Sequence, residues 1–170
     1  MILYHGSNCS FDKIELSQCR PSRDFGHGFY TTEIKEQALQ MAQRTTRMSG
    51  NGTPVVLQFI IDDNIFLGNV LKIRRFAEPD WEWATFVMNN RDKNFTDISS
   101  PLCNTDNKFD IVTGPVANDD LRVTLTLFID GRLTADALAE QLRYKELTQQ
   151  ISFHTQRAID LLQKTGECYE

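Results

Sequence analysis

Grouped positive charge and long apolar runs are both scarce in this sequence. Its 18 Lys and Arg are outnumbered by 23 Asp and Glu, which gives a formal net charge of −5, and the one basic cluster is Lys72, Arg74 and Arg75. Because phosphate binding draws on clustered Lys and Arg, this balance argues against nucleic acid as a main partner. No segment approaches the roughly 20 apolar residues of a membrane span, and the opening MILYHGS lacks the basic and apolar regions of a signal peptide. We therefore expect a cytoplasmic protein with no membrane partner.

Recognisable metal and dinucleotide motifs are also missing. The four cysteines form no CxxC pair, and His5, His27 and His154 lack the spacing and partners of a metal site, so we expect no metal. Gly26-His27-Gly28 lacks the third glycine of a Gly-rich phosphate loop and precedes a strand rather than a helix. The cysteines allow two disulfides, but a chain of 170 residues buries enough core to make them unnecessary.

The apolar pattern predicts one α+β domain over residues 1–170. The composition is ordinary for a globular protein, at 41% hydrophobic and 24% charged, and neither a repeat nor a linker divides the chain. Apolar and β-branched runs predict strands at Met1–Tyr4, Gly28–Thr32, Val55–Ile61, Val70–Phe76, Asp110–Val112 and Gln150–Phe153. Helical spacing predicts helices after an N-cap at Thr32 up to Ser49, at Pro79–Asn89, at Thr134–Tyr144 and from Thr155 to Gln163, and leaves Leu121–Ile129 open between helix and strand. The elements do not alternate as in a doubly wound fold, so we expect a mixed sheet.

Three short motifs carry most of the functional signal, although each is weak alone. His5 sits between a strand and Gly6, where an ordinary surface or supporting histidine is the commoner case. Tyr30 in GFYTT fits a half-buried strand tyrosine, and Gln150 fits an edge position of its strand. The function therefore has to be inferred from the three taken together.

In their order along the chain, the motifs resemble a known enzyme superfamily. Tyr4-His5-Gly6-Ser7, Phe25–Thr32 and the late strand from Gln150 resemble the His-Tyr-Glu branch of the ADP-ribosyltransferases, which diphtheria-type toxins and poly-ADP-ribose polymerases share. More closely, residues 3 to about 163 resemble the bacterial family DUF3990. The matching segments are YHGS, DFGHGFYTT, Glu36-Gln37-Ala38, Phe86–Arg91, Asp110–Ala117 and QISFHT. The resemblance implies an ADP-ribosyltransferase-like split mixed β-sheet with flanking helices and a central NAD cleft.

The resemblance also implies an activity. It is similar to that of a mono-ADP-ribosyltransferase, which cleaves NAD at the nicotinamide glycosidic bond and transfers ADP-ribose to a protein or other macromolecular acceptor. NAD would be a co-substrate, and no metal is implied. The bacterial family implies a toxin, a phage-conflict component or a regulator of host proteins. A toxin would be delivered to another cell, and an antitoxin-like or regulatory protein partner fits these roles.

The triad positions of the superfamily fall on His5, Tyr30 and Gln150. An imidazole at His5 can exchange hydrogen bonds with the adenine-side ribose hydroxyls. Gly6 has no side chain, so its backbone can approach the nicotinamide amide closely. Tyr30 offers a ring face to the nicotinamide, and a cation over an aromatic face gains about 0.5–2 kcal/mol. The same resemblance places Ser7 and Gly28 at the NAD cleft.

Three further residues and one tripeptide can each be interpreted either as part of a ligand site or as an ordinary structural feature. Arg23 fits a bidentate contact to the NAD pyrophosphate, although a surface arginine in a polar loop is commoner. Phe25 closes the pocket in one interpretation and is a packing anchor in the other. Met41 occupies a helix position where related chains often carry an aromatic, and it either packs against the nicotinamide or belongs to the core. Asn118-Asp119-Asp120 supplies a base near the acceptor or, more commonly, caps a helix.

Gln150 is the departure that bears most on the activity. The superfamily has a glutamate there, which grips the nicotinamide-side ribose 2′-OH and stabilises an oxocarbenium-like transition state. An amide holds the hydroxyl without a full charge and cannot act as a general base. Polymer synthesis is therefore disfavoured. Mono-ADP-ribosylation, NAD glycohydrolysis and a non-catalytic NAD- or ADP-ribose-binding or protein-interaction module stay open.

Overall fold

The computed structural model describes residues 1–117, 119–143 and 148–169, where seven strands and five α-helices form two sheets with flanking helices. The predicted α+β class is confirmed. The predictions above include three residues that lie outside the described ranges, namely Asn118, Tyr144 and Glu170.

The first sheet has three antiparallel strands, built around the most apolar run of the sequence. Its order is β1-β3-β7, with β1 at Ile2–Ser7, β3 at Val55–Ile60 and β7 at Gln163–Tyr169. The run Val55–Ile61 was predicted to lie centrally, and β3 is indeed the middle strand. Strand β7 was missed, because no element was predicted after Gln163, and the predicted helix up to Gln163 ends at Ile159.

The second sheet is mixed and has four strands in the order β2-β6-β5-β4. They are β2 at Phe29–Thr31, β4 at Ile73–Arg75, β5 at Ile111–Pro115 and β6 at Gln149–Phe153. Only β4 and β5 are parallel. The predicted strand at Val70–Phe76 is shorter than expected, and the one at Asp110 runs on through Gly114 and Pro115.

Five α-helices flank the two sheets. They are α1 at Lys35–Ser49, α2 at Trp81–Arg91, α3 at Asp119–Ile129, α4 at Ala135–Arg143 and α5 at Gln156–Ile159. Helix α1 lies on β1 and β3, while α2, α3 and α4 contact one another over the second sheet. The open choice for Leu121–Ile129 is thereby decided in favour of a helix.

The start of α1 differs from the prediction. Ile34 is the N-cap residue, and its side chain makes no capping hydrogen bond. The predicted cap, Thr32, still contributes, because its hydroxyl accepts a hydrogen bond from the Ile34 N–H at 3.1 Å. Thr32 therefore shapes the turn before the helix, and the helix begins at Lys35. Its end is as predicted, at Ser49 with Gly50 in the left-handed region at φ 67°.

Two apolar clusters define where the sheets pack. The first combines residues of both sheets on their inner faces, including Leu3, Leu57, Phe29, Ile151 and Phe153. The second lies on the outer face of the second sheet under helices α2 to α4, with Trp83, Phe86, Val112, Leu121, Leu125 and Leu138 fully buried. The outer face of the first sheet is covered by α1 instead.

Asp110 joins the second sheet to the last helix. This buried carboxylate accepts hydrogen bonds from the Lys72 N–H at 2.8 Å, the Thr155 hydroxyl at 2.6 Å and the Arg157 guanidinium. Burial alone would raise the pKa of Asp110, but the hydrogen bonds from Arg157, Thr155 and Lys72 outweigh it and hold the pKa below its ordinary value. The carboxylate therefore stays charged in the folded state.

Replacing Asp110 by alanine is expected to lower the free energy of unfolding by about 3 kcal/mol, because the Lys72 N–H, the Thr155 hydroxyl and the Arg157 guanidinium all lose the buried charged acceptor that joins them. Urea unfolding at pH 7 measures the loss. Asp12→Ala is the control, since the Asp12 side chain is fully exposed, and a change of less than about 0.5 kcal/mol is expected there. Equal effects of the two substitutions would contradict the structural role of Asp110.

Candidate functional site

Among the described residues, one strand pairing links the two sheets, and it lies between β1 and β2. Tyr4 and Thr32 form an isolated bridge there, with N–H to carbonyl distances of 2.7 Å and 3.0 Å. Beyond this bridge β1 and β2 separate, and the gap is bounded by Gly6 on one side and Tyr30 on the other. We call this gap the split.

Strand register places three of the predicted site residues on one face beside the split. Tyr4 pairs with Thr32, and continuing the β2–β6 register by one residue places Gln150 beside Thr32. Tyr4, Thr32 and Gln150 thus form one row across the strands. Two residues further along each strand, the next row contains Gly6 and Tyr30. Residues separated by two in a strand share a face, so the Tyr30 and Gln150 side chains and the side-chain position of Gly6 lie on the same face, which α1 covers at Gly6 and the loop before β2 covers at Tyr30. Tyr30 and Gln150 are diagonal neighbours on adjacent strands, a separation of about 7–8 Å.

His5 lies at the split but directs its ring to the opposite face. The ring stacks on Phe29 with centroids 4.3 Å apart, and its Nδ1 is 2.7 Å from the Tyr30 carbonyl oxygen. The structure thus brings His5 to the backbone of Tyr30 and not to the Tyr30 ring or the Gln150 amide. The side chains of the predicted triad divide between two faces, and one hydrogen bond across the split links them.

The protonation of His5 follows from these contacts. Burial lowers its pKa to about 4, the hydrogen bond to the Tyr30 carbonyl acts in the opposite direction, and the nearby charge of Arg23 adds to the lowering. The imidazole is therefore neutral at pH 7. Because Nδ1 faces a carbonyl, Nδ1 carries the proton and donates it, which leaves Nε2 as an acceptor. Nε2 has no hydrogen-bond partner among the described residues.

Gly6 lies within β1, which continues to Ser7 beyond the predicted strand end at Tyr4. A Cβ at this position would lie 1.9 Å from the Ala38 carbonyl oxygen and 2.7 Å from the Ala42 nitrogen, so the glycine is required by the close packing of α1. In an antiparallel strand every second residue directs its backbone groups to the same edge. Since Tyr4 bonds across to Thr32, the N–H and C=O of Gly6 point into the split.

Tyr30 is held firmly by its hydroxyl. The hydroxyl donates to the Gly26 carbonyl at 2.7 Å and accepts from the Phe25 N–H at 3.0 Å. Burial and the charge of Asp24 raise the pKa of Tyr30 well above its ordinary value, so the phenol stays neutral. A half-buried, fixed ring of this kind can stack on a ligand, and it does not serve as a base.

Gln150 is tied to a carboxylate that the sequence analysis did not single out for a role. Its Nε2 donates to Asp24 Oδ2 at 2.8 Å and to the Pro115 carbonyl at 3.3 Å. The same Asp24 accepts from the Ala117 N–H at 2.9 Å and from Arg91 at 2.6 Å and 3.0 Å. Asp24 and Gln150 are only 7% and 8% exposed. Asp24 and Arg91 lie inside the segments on which the family resemblance rests, which was the available signal.

Arg23 and Met41 are exposed near the split. Burial of part of its side chain and the neighbouring guanidinium groups of Arg20 and Arg44 lower the pKa of Arg23, which still remains a cation at pH 7. Arg23 thus raises the positive potential at His5, and Arg20 and Arg44 lie close to Arg23. Met41 on α1 is 41% exposed, so the interpretation of Met41 as a core residue is wrong.

Phe25, Gly28 and Ser7 have packing or backbone roles in the structure. Phe25 is 0% exposed and belongs to the second apolar cluster, as the packing-anchor interpretation had it. A Cβ on Gly28 would lie 2.6 Å from His154 Nδ1 and 2.7 Å from the Phe153 carbonyl. The Ser7 hydroxyl accepts from the Cys9 N–H at 3.3 Å. The side chains of these residues therefore present no surface to a ligand at the split.

The contacts of His154 give it a structural role. It is 1% exposed, with Nδ1 at 2.8 Å from the His27 carbonyl and Nε2 at 2.8 Å from the Ser152 hydroxyl. Burial lowers its pKa to about 4, against the opposing effect of the His27 carbonyl. Within the described residues, no three His, Cys, Asp or Glu side chains are grouped as a metal site, and all four cysteines are free.

A cavity of about 650 Å³ lies beside β1, β3 and α5 and is lined by Met1, Ile2, Ile61, Ile65 and Leu161 among others. None of the predicted site residues borders it. Over the ranges 1–117, 119–143 and 148–169, no helix has the length and apolar character needed to cross a membrane.

Comparison with known proteins gives one match. A family model described as "Protein of unknown function (DUF3990)" matches residues 1–164. No curated protein and no solved structure matches the chain.

Proposed function

The chain belongs to the DUF3990 family, and we propose that it is a mono-ADP-ribosyltransferase that binds NAD at the split and transfers ADP-ribose to a protein or other macromolecular acceptor. The proposal is supported by one observation above all. Gly6, Tyr30 and Gln150 face the same side of the split, where β1 directs free backbone groups into the gap and His5 contacts the Tyr30 carbonyl.

Each group at the split has a chemical use towards NAD. The N–H and C=O of Gly6 match the donor and acceptor of the nicotinamide amide, and the Tyr30 ring offers a face to the pyridinium. His5 Nε2 is an acceptor for a ribose hydroxyl, and the arginines around Arg23 suit the pyrophosphate. The Gln150 carbonyl oxygen can accept a hydrogen bond from the 2′-OH of the reacting ribose.

The reaction breaks one bond and forms another. The C1′–N bond to nicotinamide breaks, and its electron pair leaves with the nicotinamide nitrogen. A lone pair of the acceptor forms the new bond to C1′, and the acceptor proton passes to solvent. Gln150 cannot act as a general base, so the acceptor must already be a good nucleophile.

The direct test is nicotinamide release from NAD together with labelling of a lysate by biotinylated NAD. We expect the wild-type protein to do both and His5→Ala to do neither, because that substitution removes the ribose acceptor and the contact that fixes Tyr30. Unchanged labelling by a folded His5→Ala variant would refute the mechanism. Mass spectrometry of the labelled species identifies the acceptor.

A second prediction uses a matched pair of arginines. Arg23→Ala is expected to raise the NAD dissociation constant about tenfold, since one charge-assisted phosphate contact contributes about 1.5 kcal/mol. Arg47→Ala, an exposed arginine in the last turn of α1, should leave it unchanged. Calorimetry at low and high salt measures both, and equal losses in the two variants would contradict a specific contact at Arg23.

The alternative function is a non-catalytic NAD- or ADP-ribose-binding module, with NAD glycohydrolysis as a further variant. The Asp24 contact of the Gln150 amide favours it, because no free carboxylate faces the ribose. Calorimetric binding of NAD without nicotinamide release over hours supports the module. Release of nicotinamide without any labelled acceptor supports the hydrolase.

A further inference from the structure

The orientation of the Gln150 amide is set by its surroundings. Its two neighbours at hydrogen-bond distance, Asp24 Oδ2 and the Pro115 carbonyl oxygen, are both acceptors. A flipped amide would place its oxygen against two oxygens, so only the NH₂ group can face them. The Gln150 Oε1 atom then points away from Asp24, and it has no partner among the described residues.

Asp24 accepts a hydrogen bond from this amide, and all of its lone-pair positions are occupied. Its two oxygens receive four hydrogen bonds, from Arg91, Ala117 and Gln150. A carboxylate bonded in this way polarises the amide N–H and increases the negative charge on the amide oxygen. Asp24 and Gln150 come from a loop and a strand 126 residues apart, so the contact exists only in the folded protein.

We propose that Asp24 is a positioning residue for the ribose-binding amide, and that Asp24 with Gln150 forms one unit that replaces the single glutamate expected at residue 150. Asp24 fixes Oε1 towards the split and supplies, through the amide, part of the negative charge that the breaking glycosidic bond requires. Glutamine at residue 150 is then a requirement of the site and not a loss of function. The inference rests on the proposed NAD-cleaving function.

This arrangement reverses the usual expectation for Gln150→Glu. A glutamate at residue 150 would direct a second carboxylate at Asp24 across less than 3 Å, and two like charges at this separation repel each other strongly. If Gln150 were only a decayed catalytic glutamate, the same substitution would raise the rate. The two views therefore differ in the sign of one measurement.

The experiment compares Gln150→Glu, Asp24→Asn and the double variant with the wild type in steady-state nicotinamide release. Each single substitution is expected to lower kcat at least tenfold with a smaller change in KM, because the charge matters most in the transition state. The double variant restores one carboxylate facing one amide, and its kcat should be at least threefold higher than that of Gln150→Glu. Recovery stays partial because the Ala117 N–H loses its acceptor. Gln149→Glu, the same change at the exposed neighbour, is the control.

A second readout does not depend on NAD. The difference in melting temperature between Gln150→Glu and the wild type should grow as the pH rises, because ionisation of the new carboxyl is opposed by Asp24. In the double variant this pH dependence should disappear. A difference that does not change with pH would overturn the Asp24 contact.

The outcomes separate the inference from the function on which it rests. A folded Gln150→Glu variant as active as the wild type, or more active, overturns the inference and leaves the transferase proposal intact. A wild-type protein that neither binds NAD nor releases nicotinamide overturns the proposed function and this inference together.

Discussion

Between pH 7 and pH 5 the folded protein is expected to lose about 3 kcal/mol of stability through two histidines. His5 and His154 both have their pKa lowered by burial to about 4, whereas in the unfolded chain each titrates near about 6.5. The unfolded state therefore binds protons that the folded state does not. Their contribution is complete above pH 6.5, falls as the pH decreases, and is exhausted below pH 4. Each histidine accounts for about 1.5–2 kcal/mol at pH 5.

Urea unfolding at several pH values between 4 and 8 measures this dependence. The slope of the free energy of unfolding against pH is the diagnostic quantity, since His154→Gln changes absolute stability for other reasons as well. That variant should lose about half of the slope between pH 6.5 and 4.5. An unchanged slope would mean that His154 does not stay neutral in the folded protein.

Gly6→Ala is expected to prevent native packing of α1 and to cost at least about 3 kcal/mol. The added methyl group would lie 1.9 Å from the Ala38 carbonyl oxygen and 2.7 Å from the Ala42 nitrogen. Both obstructing atoms are helix backbone, so no side chain can rotate away and the whole helix must shift. Inserting atoms into a well-packed region costs about 1–3 kcal/mol where relaxation is easy, and here it is not.

Gly166 provides the matched control for that substitution. It also lies in a strand of the first sheet, but a Cβ there meets nothing within 4 Å. Gly166→Ala should therefore be neutral or stabilise the fold by up to about 1 kcal/mol. Thermal melts of both variants give the comparison. If Gly6→Ala melted within a few degrees of Gly166→Ala, the close contact of α1 with β1 would be disproved.

The parts of the fold that the sequence predicted are those with local causes. Strands β2 and β3 follow from short aromatic and β-branched runs, and the end of α1 follows from Gly50. Strand β7 has no such pattern, because its residues become a strand by pairing with β3. The first strand was predicted to end at Tyr4, before His5 and Gly6, yet both lie within β1, where glycine is needed because α1 packs closely on it.

The candidate site also combines features that the sequence predicted with features that it could not predict. His5, Tyr30 and Gln150 were singled out through motifs, and the structure places the Tyr30 and Gln150 side chains on one face and the His5 ring on the other. The faces to which they point could not be predicted, because that depends on how β1 and β2 separate after one bridge. Asp24 was given no role, since nothing in a polar loop indicates contact with a residue 126 positions later.

The Tyr4–Thr32 bridge makes the junction of the two sheets a pivot. Among the described residues, it is the only strand pairing that joins the sheets. Gly6 and Tyr30 lie two residues from it, about 7 Å along the strands. A rotation of one sheet against the other displaces atoms in proportion to their distance from the pivot. Groups nearest the junction, such as Gly6 and Tyr30, therefore keep their mutual geometry best.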